Sequence, residues 1–387
     1  MVKKRQVYLD YAATTPVDPL VMKAMRPFFD KDFGNSMSLH RWGQSAKKAL
    51  EASRQTVADF IGAEKEEIVF TASASESNNL ALKGVAWANK AKGRHILISP
   101  IEHSCVQQSA QWLKQQGWLV EELTVNQYGL VDPQQVKQKL RAETILVSVI
   151  YASNEIGTIQ PIKAIAEVCQ AKKVYCHTDA SQACGQISLN VKDVGVDLLT
   201  ASSHKIYGPK GAAILYIKDG VKIEPLIHGG GHEAGRRAAT VNLPAIVGLA
   251  QAVKLADGLR IKDSRRIAKL RDYLIQGILS RIPHSYLNGH PKQRLPNNVH
   301  FRFDFIEGEA LVFALDQQGI AASTGSACSS AELKPSKTLL AIGLKPEQTH
   351  GSLRLSLGRR TTKKELDYVL QALPEVVTKL RKASPFK

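Results

Sequence analysis

The sequence has little of several features that would place it in particular classes of protein. Its 387 residues include only five cysteines. This scattered, odd-numbered set is not the framework of a disulfide-stabilised secreted domain. No apolar run approaches the roughly 20 residues that a membrane-spanning helix requires. The basic start of the chain lacks the apolar stretch of a secretory signal. We therefore expect a cytoplasmic protein in a reducing compartment, without a membrane span.

Acidic residues are also scarce relative to basic ones. The chain has 35 Asp and Glu against 52 Lys and Arg, a net charge of +17. Within the basic stretch 260–271, Arg265 and Lys269 recur at the spacing of a solvated helix face. The alternative interpretation is an acidic protein partner attracted by the positive field. A nucleic-acid partner is disfavoured, because no recognised nucleic-acid motif occurs.

What the sequence does have is an alternation of short β-branched runs with helical periods. We predict strands at 67–71, 95–99, 119–125, 144–150, 174–179, 196–200 and 212–217, and helices at 43–61, 76–92, 103–117 and 163–172. This alternation predicts an α/β protein with a largely parallel sheet covered on both faces. Beyond about residue 245 the pattern changes to a long helix (245–282), shorter strands and a last helix (363–382). We therefore predict a large domain of residues 16–250 and a smaller α+β domain of residues 1–15 and 251–387.

Polar side chains follow several of the predicted strands at the point where each strand ends. Because ligands of open α/β sheets bind at the carboxyl ends of the strands, these side chains predict a site there. Small residues at 72–77 open a helix, which suits a phosphate, although an ordinary Ser N-cap is the alternative. The later strands are followed in turn by His103, Asn154, Asp179 with Gln182, and Ser202 with His204 and Lys205.

A lysine beside a phosphate site, with an aspartate on a neighbouring strand, meets the needs of pyridoxal phosphate. Lys205 would bind the cofactor as a Schiff base, and Asp179 would keep the pyridine nitrogen protonated so that the ring accepts electrons. An ordinary surface lysine is the alternative for Lys205, which its position in Ser-His-Lys-Ile-Tyr-Gly-Pro-Lys-Gly at a strand end disfavours.

Six motifs, in order along the chain, carry a resemblance to a known family: LDYAATTP at 9–16, ESNN at 76–79, NEIGTIQP at 154–161, SHKIYGPKG at 203–211, HGGGHE at 228–233 and GSAC at 325–328. The chain resembles the cysteine desulfurases of the NifS/IscS type, within the class V aminotransferases. The match runs from about Tyr8 to Pro385. The motif around Lys205 alone would indicate only the superfamily, whereas its combination with Gly325-Ser-Ala-Cys328 is specific.

The resemblance implies a fold and an activity. The fold would be the PLP-dependent transferase fold type I, with a mostly parallel seven-stranded sheet in the large domain, in a homodimer. The enzyme would convert L-cysteine to L-alanine and hold the sulfur as a persulfide on Cys328. An acceptor protein, such as an iron–sulfur scaffold or a thiolation acceptor, would then take that sulfur. A selenocysteine lyase or another class V aminotransferase, in which Cys328 is dispensable, is the alternative.

The resemblance also implies a role for each matching residue. Cys328 would be the nucleophile, Lys205 the catalytic lysine, and His103 would stack on the ring of pyridoxal 5'-phosphate. Asn154 and Arg354 would bind the carboxylate of the substrate. The remaining cofactor contacts would be Asp179 on the ring nitrogen, Gln182 on the ring hydroxyl, and Ala74, Ser75, Ser202, His204 and the other subunit's Thr240 on the phosphate.

Three further interpretations concern features outside those roles. We interpret the four cysteines other than Cys328 as packing residues. His228 and His232 are spaced as zinc ligands are on a helix, but the three glycines between them favour a loop near the active site, so we expect no metal. The chain stops soon after Pro385, where iron–sulfur housekeeping members continue with a tail that docks the scaffold, and we expect another docking mode.

Overall fold

Three β-sheets organise the chain in a computed structural model that describes residues 6–325 and 335–384. Strands are numbered in chain order. The largest sheet contains β2 (Ile68–Thr71), β3 (His95–Ile98), β4 (Leu119–Glu122), β5 (Thr144–Ser148), β6 (Tyr175–Asp179), β7 (Leu198–Ser202) and β8 (Ala213–Ile217). The second sheet contains β9 (Ser285–Leu287), β10 (Asn298–Phe303) and β12 (Ser352–Ser356), and β1 (Val7–Tyr8) pairs with β11 (Ile320–Ala321).

The seven-stranded sheet has the order β2-β8-β7-β6-β5-β3-β4. The five adjacent strands β7, β6, β5, β3 and β4 pair in parallel. Strand β8 runs antiparallel to both of its neighbours, β2 and β7. Every residue of β2, β5, β7 and β8 is buried, as expected for strands covered on both faces. The mostly parallel seven-stranded sheet and the fold class are thereby confirmed.

Helices cover both faces of this sheet and the outer face of the smaller one. They are α1 (Pro19–Met25), α2 (Pro27–Asp30), α3 (Arg41–Ile61), α4 (Ala74–Asn79), α5 (Val85–Ala88), α6 (Ser104–Gln115), α7 (Pro133–Lys139), α8 (Ile162–Ala171), α9 (Val191–Val194), α10 (Leu243–Arg281), α11 (Gly308–Gln317), α12 (Lys337–Ala341), α13 (Pro346–Thr349) and α14 (Lys363–Ala383). A π-helical turn, Leu80–Gly84, joins α4 to α5. Within the described ranges, no helix is long and apolar enough to cross a membrane.

Local sequence signals explain where the longer helices begin and end. Helix α3 ends at Gly62, whose φ of 72° is the left-handed conformation that glycine adopts readily. Helix α14 begins with a capping box between Thr362 and Glu365. At the start of α4, the Ser73 side chain accepts a hydrogen bond from the Glu76 backbone N–H at 3.1 Å.

Buried apolar side chains form separate clusters around the two larger sheets. Alternate residues of each strand face opposite sides of the large sheet, so that Phe70 and Leu97 lie in one cluster and Val69 and Ile96 in another. A third cluster joins the small sheet to α11 and α14. Helix α10 contributes buried residues to the first and third clusters. The predicted domain boundary at residue 250 therefore falls inside a continuous helix, and the exact division stays a prediction.

The carboxyl ends of β6 and β7 meet the loops that carry the predicted site. Asp179 is the last residue of β6 and pairs in register with Thr200 of β7. Two residues further along β7, Ser202 pairs with Ala213 of β8, which in turn pairs with Thr71 at the end of β2. The turn before α4 and the Ser202–Lys205 stretch therefore lie at the same edge of the sheet.

Candidate active site

Lys205 lies at this edge, in the 3-10 turn Ser203–Lys205 that follows β7. Its Nζ donates hydrogen bonds to the carbonyl oxygens of Ala12 at 2.6 Å and Ala13 at 2.8 Å. The side-chain amide of Gln182 donates to the same Ala12 oxygen at 3.0 Å. One backbone carbonyl thus brings together the predicted Schiff-base lysine and the residue predicted to contact the ring hydroxyl.

Asp179 and His103 are connected through two further side chains. Asp179 Oδ2 accepts a hydrogen bond from Asn78 Nδ2 at 2.6 Å, and Oδ1 accepts one from the Ser181 N–H at 2.9 Å. The same Asn78 nitrogen lies 3.2 Å from Cys105 Sγ, which lies 3.0 Å from His103 Nδ1. The carboxylate at the end of β6 and the imidazole before α6 therefore belong to one continuous network.

His103 has a defined orientation, because its ring caps α6. Its Nδ1 accepts the backbone N–H of Cys105 at 3.2 Å. Burial lowers the pKa of His103; Asp179 raises it and Lys205 lowers it. Since Nδ1 is the acceptor, the neutral ring carries its proton on Nε2. A neutral, fixed imidazole is suited to stacking on a cofactor ring.

The predicted phosphate contacts lie on two neighbouring elements at the same sheet edge. Ala74 and Ser75 begin α4, and Ser202 is the buried last residue of β7. His204 Nδ1 lies 3.1 Å from Thr14 Oγ1. Burial, together with the charges of Lys205 and Lys210, lowers the pKa of His204 to about 4, so the ring is neutral at physiological pH.

Arg354, on β12, faces the site from the smaller sheet. It is 4% exposed, and its guanidinium forms an ion pair with Asp10 at 2.9 Å. The same guanidinium donates to the carbonyl oxygen of Asn154 at 2.8 Å and to that of Gly325 at 3.4 Å. The structure thus brings together the two residues predicted to bind the substrate carboxylate, beside the start of the segment that carries Cys328.

The N-terminal strap, defined here as residues 10–15, joins the two sides of the site. Asp10 contacts Arg354, Ala12 and Ala13 accept from Lys205, and Thr14 contacts His204. Thr15 donates its backbone N–H to the His204 carbonyl at 3.0 Å. The motif LDYAATTP therefore contributes the backbone that positions the lysine and the carboxylate that neutralises the arginine.

The sequence and the fold are similar to those of characterised proteins. The class-V aminotransferase family model matches residues 7–369. A cysteine desulfurase IscS of Clostridium botulinum strain Hall is 51% identical over 384 residues, covering 98% of this chain and 96% of its own length. One of Methanosarcina thermophila is 49% identical, covering 99% and 95%. The chain belongs to the class-V aminotransferases, among the cysteine desulfurases.

Solved structures agree with this assignment to the class-V aminotransferases. A structure described as a NifS-like protein has a TM-score of 0.92 at 34% identity, covering 97% of this chain and all of its own. A second, described as SspA in complex with cysteine, has a TM-score of 0.81 at 35% identity, covering 92% and 99%. The resemblance found in the motifs, the fold type and the enzyme class are confirmed.

Three residues of this class-V aminotransferase were missed by the sequence reasoning. Asp10 and Asn78 lie inside quoted motifs but had no assigned role. Cys105, interpreted as packing, does pack against the apolar cluster of Val69 and Ile96, but its thiol also lies between His103 and Asn78, which the interpretation did not include. Burial and Asp179 raise its pKa to about 12, which keeps the thiol protonated. Its position two residues after His103 was the available signal. Cys169, Cys176 and Cys184 are buried, as packing residues are.

The predicted roles of two residues of this class-V aminotransferase are not tested by the described chain. Cys328 lies outside the described residues, three positions after Gly325. Thr240 is exposed, shortly before α10, and its predicted role concerns a second subunit. The segment before it, His228–Gly231, is not helical, and His232–Gly235 forms a 3-10 turn with left-handed residues. The roles of Cys328 and Thr240 both stay predictions.

Proposed function

We propose that the protein is a pyridoxal-phosphate-dependent cysteine desulfurase that passes the sulfur of L-cysteine through Cys328 to an acceptor protein. One observation carries this proposal. Lys205 and Arg354 contact residues two positions apart in the same N-terminal strap, Ala12 and Asp10, and Arg354 also contacts Gly325, which precedes the segment of Cys328. A cofactor-binding lysine, a carboxylate-binding arginine and the approach of a thiol therefore converge on one site.

The chemistry of the donor set fits pyridoxal phosphate. Asp179 is 4% exposed and accepts two hydrogen bonds, while a carboxylate has about four lone-pair positions. A pyridinium N–H is the cationic donor that such a buried carboxylate favours. His103 would stack on the ring, Gln182 would reach the ring hydroxyl, and the phosphate would be held by Ala74, Ser75, Ser202 and His204, with Thr240 from a second subunit.

The bound cofactor would supply an aldehyde for the amino group of the substrate and a ring that withdraws electrons from its Cα. The residues of the chain do the rest. Arg354 and the Asn154 side chain would hold the carboxylate of cysteine, Arg354 through its planar fork. Lys205 would take the proton from Cα and return a proton later, which requires the free amine.

Cys328 would carry out the sulfur transfer as a thiolate, because a thiol is a weak nucleophile. A bond forms between Cys328 Sγ and the substrate sulfur while the Cβ–S bond of the substrate breaks. The electron pair of that bond remains on the carbon side, which takes up a proton and is released as alanine. Cys328 is left as a persulfide, and no external oxidant or reductant is needed. The proposal places this thiol chemistry in the reducing cytoplasm.

An exposed apolar surface supports a homodimer. Among the described residues, Phe29, Phe33 and Leu39 are 65%, 66% and 91% exposed, which is unusual for large apolar side chains. The neighbouring Met37 lines a cavity of about 320 Å³ together with Glu233, in the segment that leads to Thr240. A second copy covering this surface would lie beside Thr240. Sedimentation equilibrium tests this arrangement, and a monomer at micromolar concentration would contradict it.

Mass spectrometry of Cys328 after addition of L-cysteine tests the proposed function. We expect a mass increase of one sulfur atom on the Cys328 peptide and an equivalent amount of alanine. Cys328→Ser should abolish both, whereas Cys169→Ala, which removes a buried cysteine of α8, should retain both. Alanine formation by Cys328→Ser at the wild-type rate would instead indicate a lyase that does not need this thiol.

A further inference from the structure

Glu155 has contacts that the proposed mechanism does not use. It lies in the turn after β5, next to Asn154, and its side chain contacts residues at the start of α12. Its Oε2 accepts a hydrogen bond from Ser336 Oγ at 2.6 Å, and its Oε1 accepts one from Thr338 Oγ1 at 3.0 Å. Both hydroxyl residues are buried, at 7% and 3% exposure. One carboxylate therefore binds the chain at residues 336 and 338, shortly after the segment that contains Cys328.

Gly325, at the other end of the same segment, lies close to Glu155. A Cβ added at Gly325 would lie 3.8 Å from Glu155 Cγ and 2.9 Å from His300 Nε2. Gly325 has a φ of 96°, and its N–H donates to Ser323 Oγ at 3.0 Å. Only glycine fits this tight, left-handed position. Glu155 therefore binds the chain just after 326–334, the stretch that includes Cys328, and lies close to Gly325, just before it.

The surroundings of Glu155 fix it in place. Its backbone carbonyl accepts a hydrogen bond from Asn298 Nδ2 at 2.8 Å. The adjacent Ile156 packs against Leu339 and Ile342 of the α12 region in a small apolar cluster. Burial raises the pKa of Glu155, while the two hydroxyl donors and Arg354 lower it. A partly buried carboxylate with two hydroxyl donors beside the arginine is a built contact rather than a surface charge.

We propose that Glu155 is a positioning residue for sulfur transfer, which fixes the chain just after the segment that carries Cys328, close to the point where that segment begins. This inference rests on the proposed function. Since the hydrogen bonds that the described chain gives the Glu155 side chain go to Ser336 and Thr338, and none to Lys205, Asp179 or Arg354, its loss should change substrate binding and proton removal little. It should slow only the step in which Cys328 Sγ reaches the substrate sulfur, because small misplacements of a nucleophile reduce rates strongly.

Rapid mixing of the holoenzyme with L-cysteine separates these steps. The absorbance change of the cofactor reports substrate binding and proton removal, and rapid quenching with alkylation and mass spectrometry reports the persulfide on Cys328. We expect Glu155→Ala to slow persulfide formation by about 10- to 100-fold, with the absorbance phase and the KM changed less than about threefold. Glu155→Gln, which keeps one acceptor oxygen, should lie between Glu155→Ala and the wild type.

Two further variants make the test decisive. Thr338→Val removes one donor without altering Glu155, and should slow persulfide formation by a smaller factor. Glu122→Ala, an exposed carboxylate on β4, is the matched control and should match the wild type in both phases. If the wild type forms persulfide and Glu155→Ala forms it equally fast, the inference is wrong while the proposed function stands. A uniform slowing of both phases would also overturn it, and absence of persulfide in the wild type would instead refute the proposed function.

Discussion

The residues proposed to bind the cofactor, Asp179 and Lys205, form the cofactor half of the site, and those proposed to bind the substrate, Arg354 and Asn154, form the substrate half. The two halves are positioned in different ways. Asp179 and Lys205 follow neighbouring parallel strands, β6 and β7, whose register places them at one sheet edge. Arg354, by contrast, pairs with Asp10, a residue 344 positions away, and with Asn154, which is 200 positions away. The first half is positioned by backbone pairing within one sheet, whereas the second depends on packing between distant segments.

This difference has a consequence for the effects of substitutions. Substitution of a site residue positioned by the large sheet should remove its chemistry without disturbing the surrounding structure, because the strands of this sheet are buried along their whole length. Groups in the substrate half share their partners, since Arg354 binds one carboxylate and two carbonyls at once. Their loss should therefore produce graded effects on binding rather than an all-or-none loss of chemistry.

The largest effect is expected at Lys205 and would establish the cofactor half as all-or-none. Lys205→Ala removes both the covalent attachment and the base, so turnover of cysteine should fall by at least about a thousandfold. The absorbance band of the lysine-bound cofactor should also disappear, while the circular dichroism spectrum stays unchanged. Lys210→Ala, an exposed lysine of the same loop, is the control and should retain both activity and the band. Measurable turnover by Lys205→Ala would mean that another amine binds the cofactor.

A smaller, graded effect is expected at Arg354 and would establish the substrate half. Arg354→Lys keeps the charge but loses the two-pronged pairing, so the KM for cysteine should rise about 10- to 100-fold with a much smaller change in kcat. Arg302→Lys on the adjacent β10, where the arginine stacks on Tyr286 outside the site, is the control. A fall in kcat at unchanged KM would show that the substrate carboxylate binds elsewhere, and the comparison between the two halves would fail.

The two halves also differ in how far they follow from the sequence. The large sheet was predicted with each strand within about three residues of its observed bounds, because buried parallel strands read as apolar runs. Asp179, His103 and Lys205 follow from that sheet alone, since strand ends meet at one edge. The antiparallel direction of β8 could not be predicted from the sequence, because an apolar run does not indicate the direction of its strand. Helix α7 was missed since its short sequence is nearly all polar.

In the substrate half, Asn154 was located at a strand end, but Arg354 was reached only through the resemblance. No period or spacing brings Asp10 to Arg354, because their contact depends on β1 pairing with β11 and on Asp10 bridging to Ser356. Within 260–271, Arg265 and Lys269 are exposed, as predicted for a solvated face, whereas two neighbouring arginines make tertiary contacts that their spacing does not indicate. Arg266 donates to the carbonyls of Arg359 and Thr361, and Arg271 is 8% exposed. Tertiary contacts over such separations are not encoded in a local pattern.

The smallest effect is expected outside both halves, on the basic surface. Raising the salt concentration should slow sulfur transfer to an acidic acceptor protein severalfold, because charges farther apart than about 8 Å are screened at physiological ionic strength. Turnover with a small reductant should change little, since its chemistry lies within the site. Charge reversal at the exposed Arg265, Lys269 or Arg360 should reproduce the loss. Arg266 and Arg359 are unsuitable, because both hold the fold together.

Equal salt dependence in both assays, or none in either, would mean that the net charge of +17 serves only as a solvated surface. The measurement therefore decides whether a third functional region, in addition to the two halves of the site, exists on this protein. The acceptor concentration should be kept below saturation, because steering by charge acts mainly on the rate of encounter.

The N-terminal strap ties the site to the order in which the chain is made. A ribosome releases Asp10 before Lys205 and Lys205 before Arg354, yet the strap contacts both. A nascent chain halted between them could hold the lysine against Ala12 but would leave Asp10 without its guanidinium partner. With Arg354 in its proposed role, capture of the amino acid would wait until residue 354 has emerged, and a product truncated before it would lack that contact to the substrate.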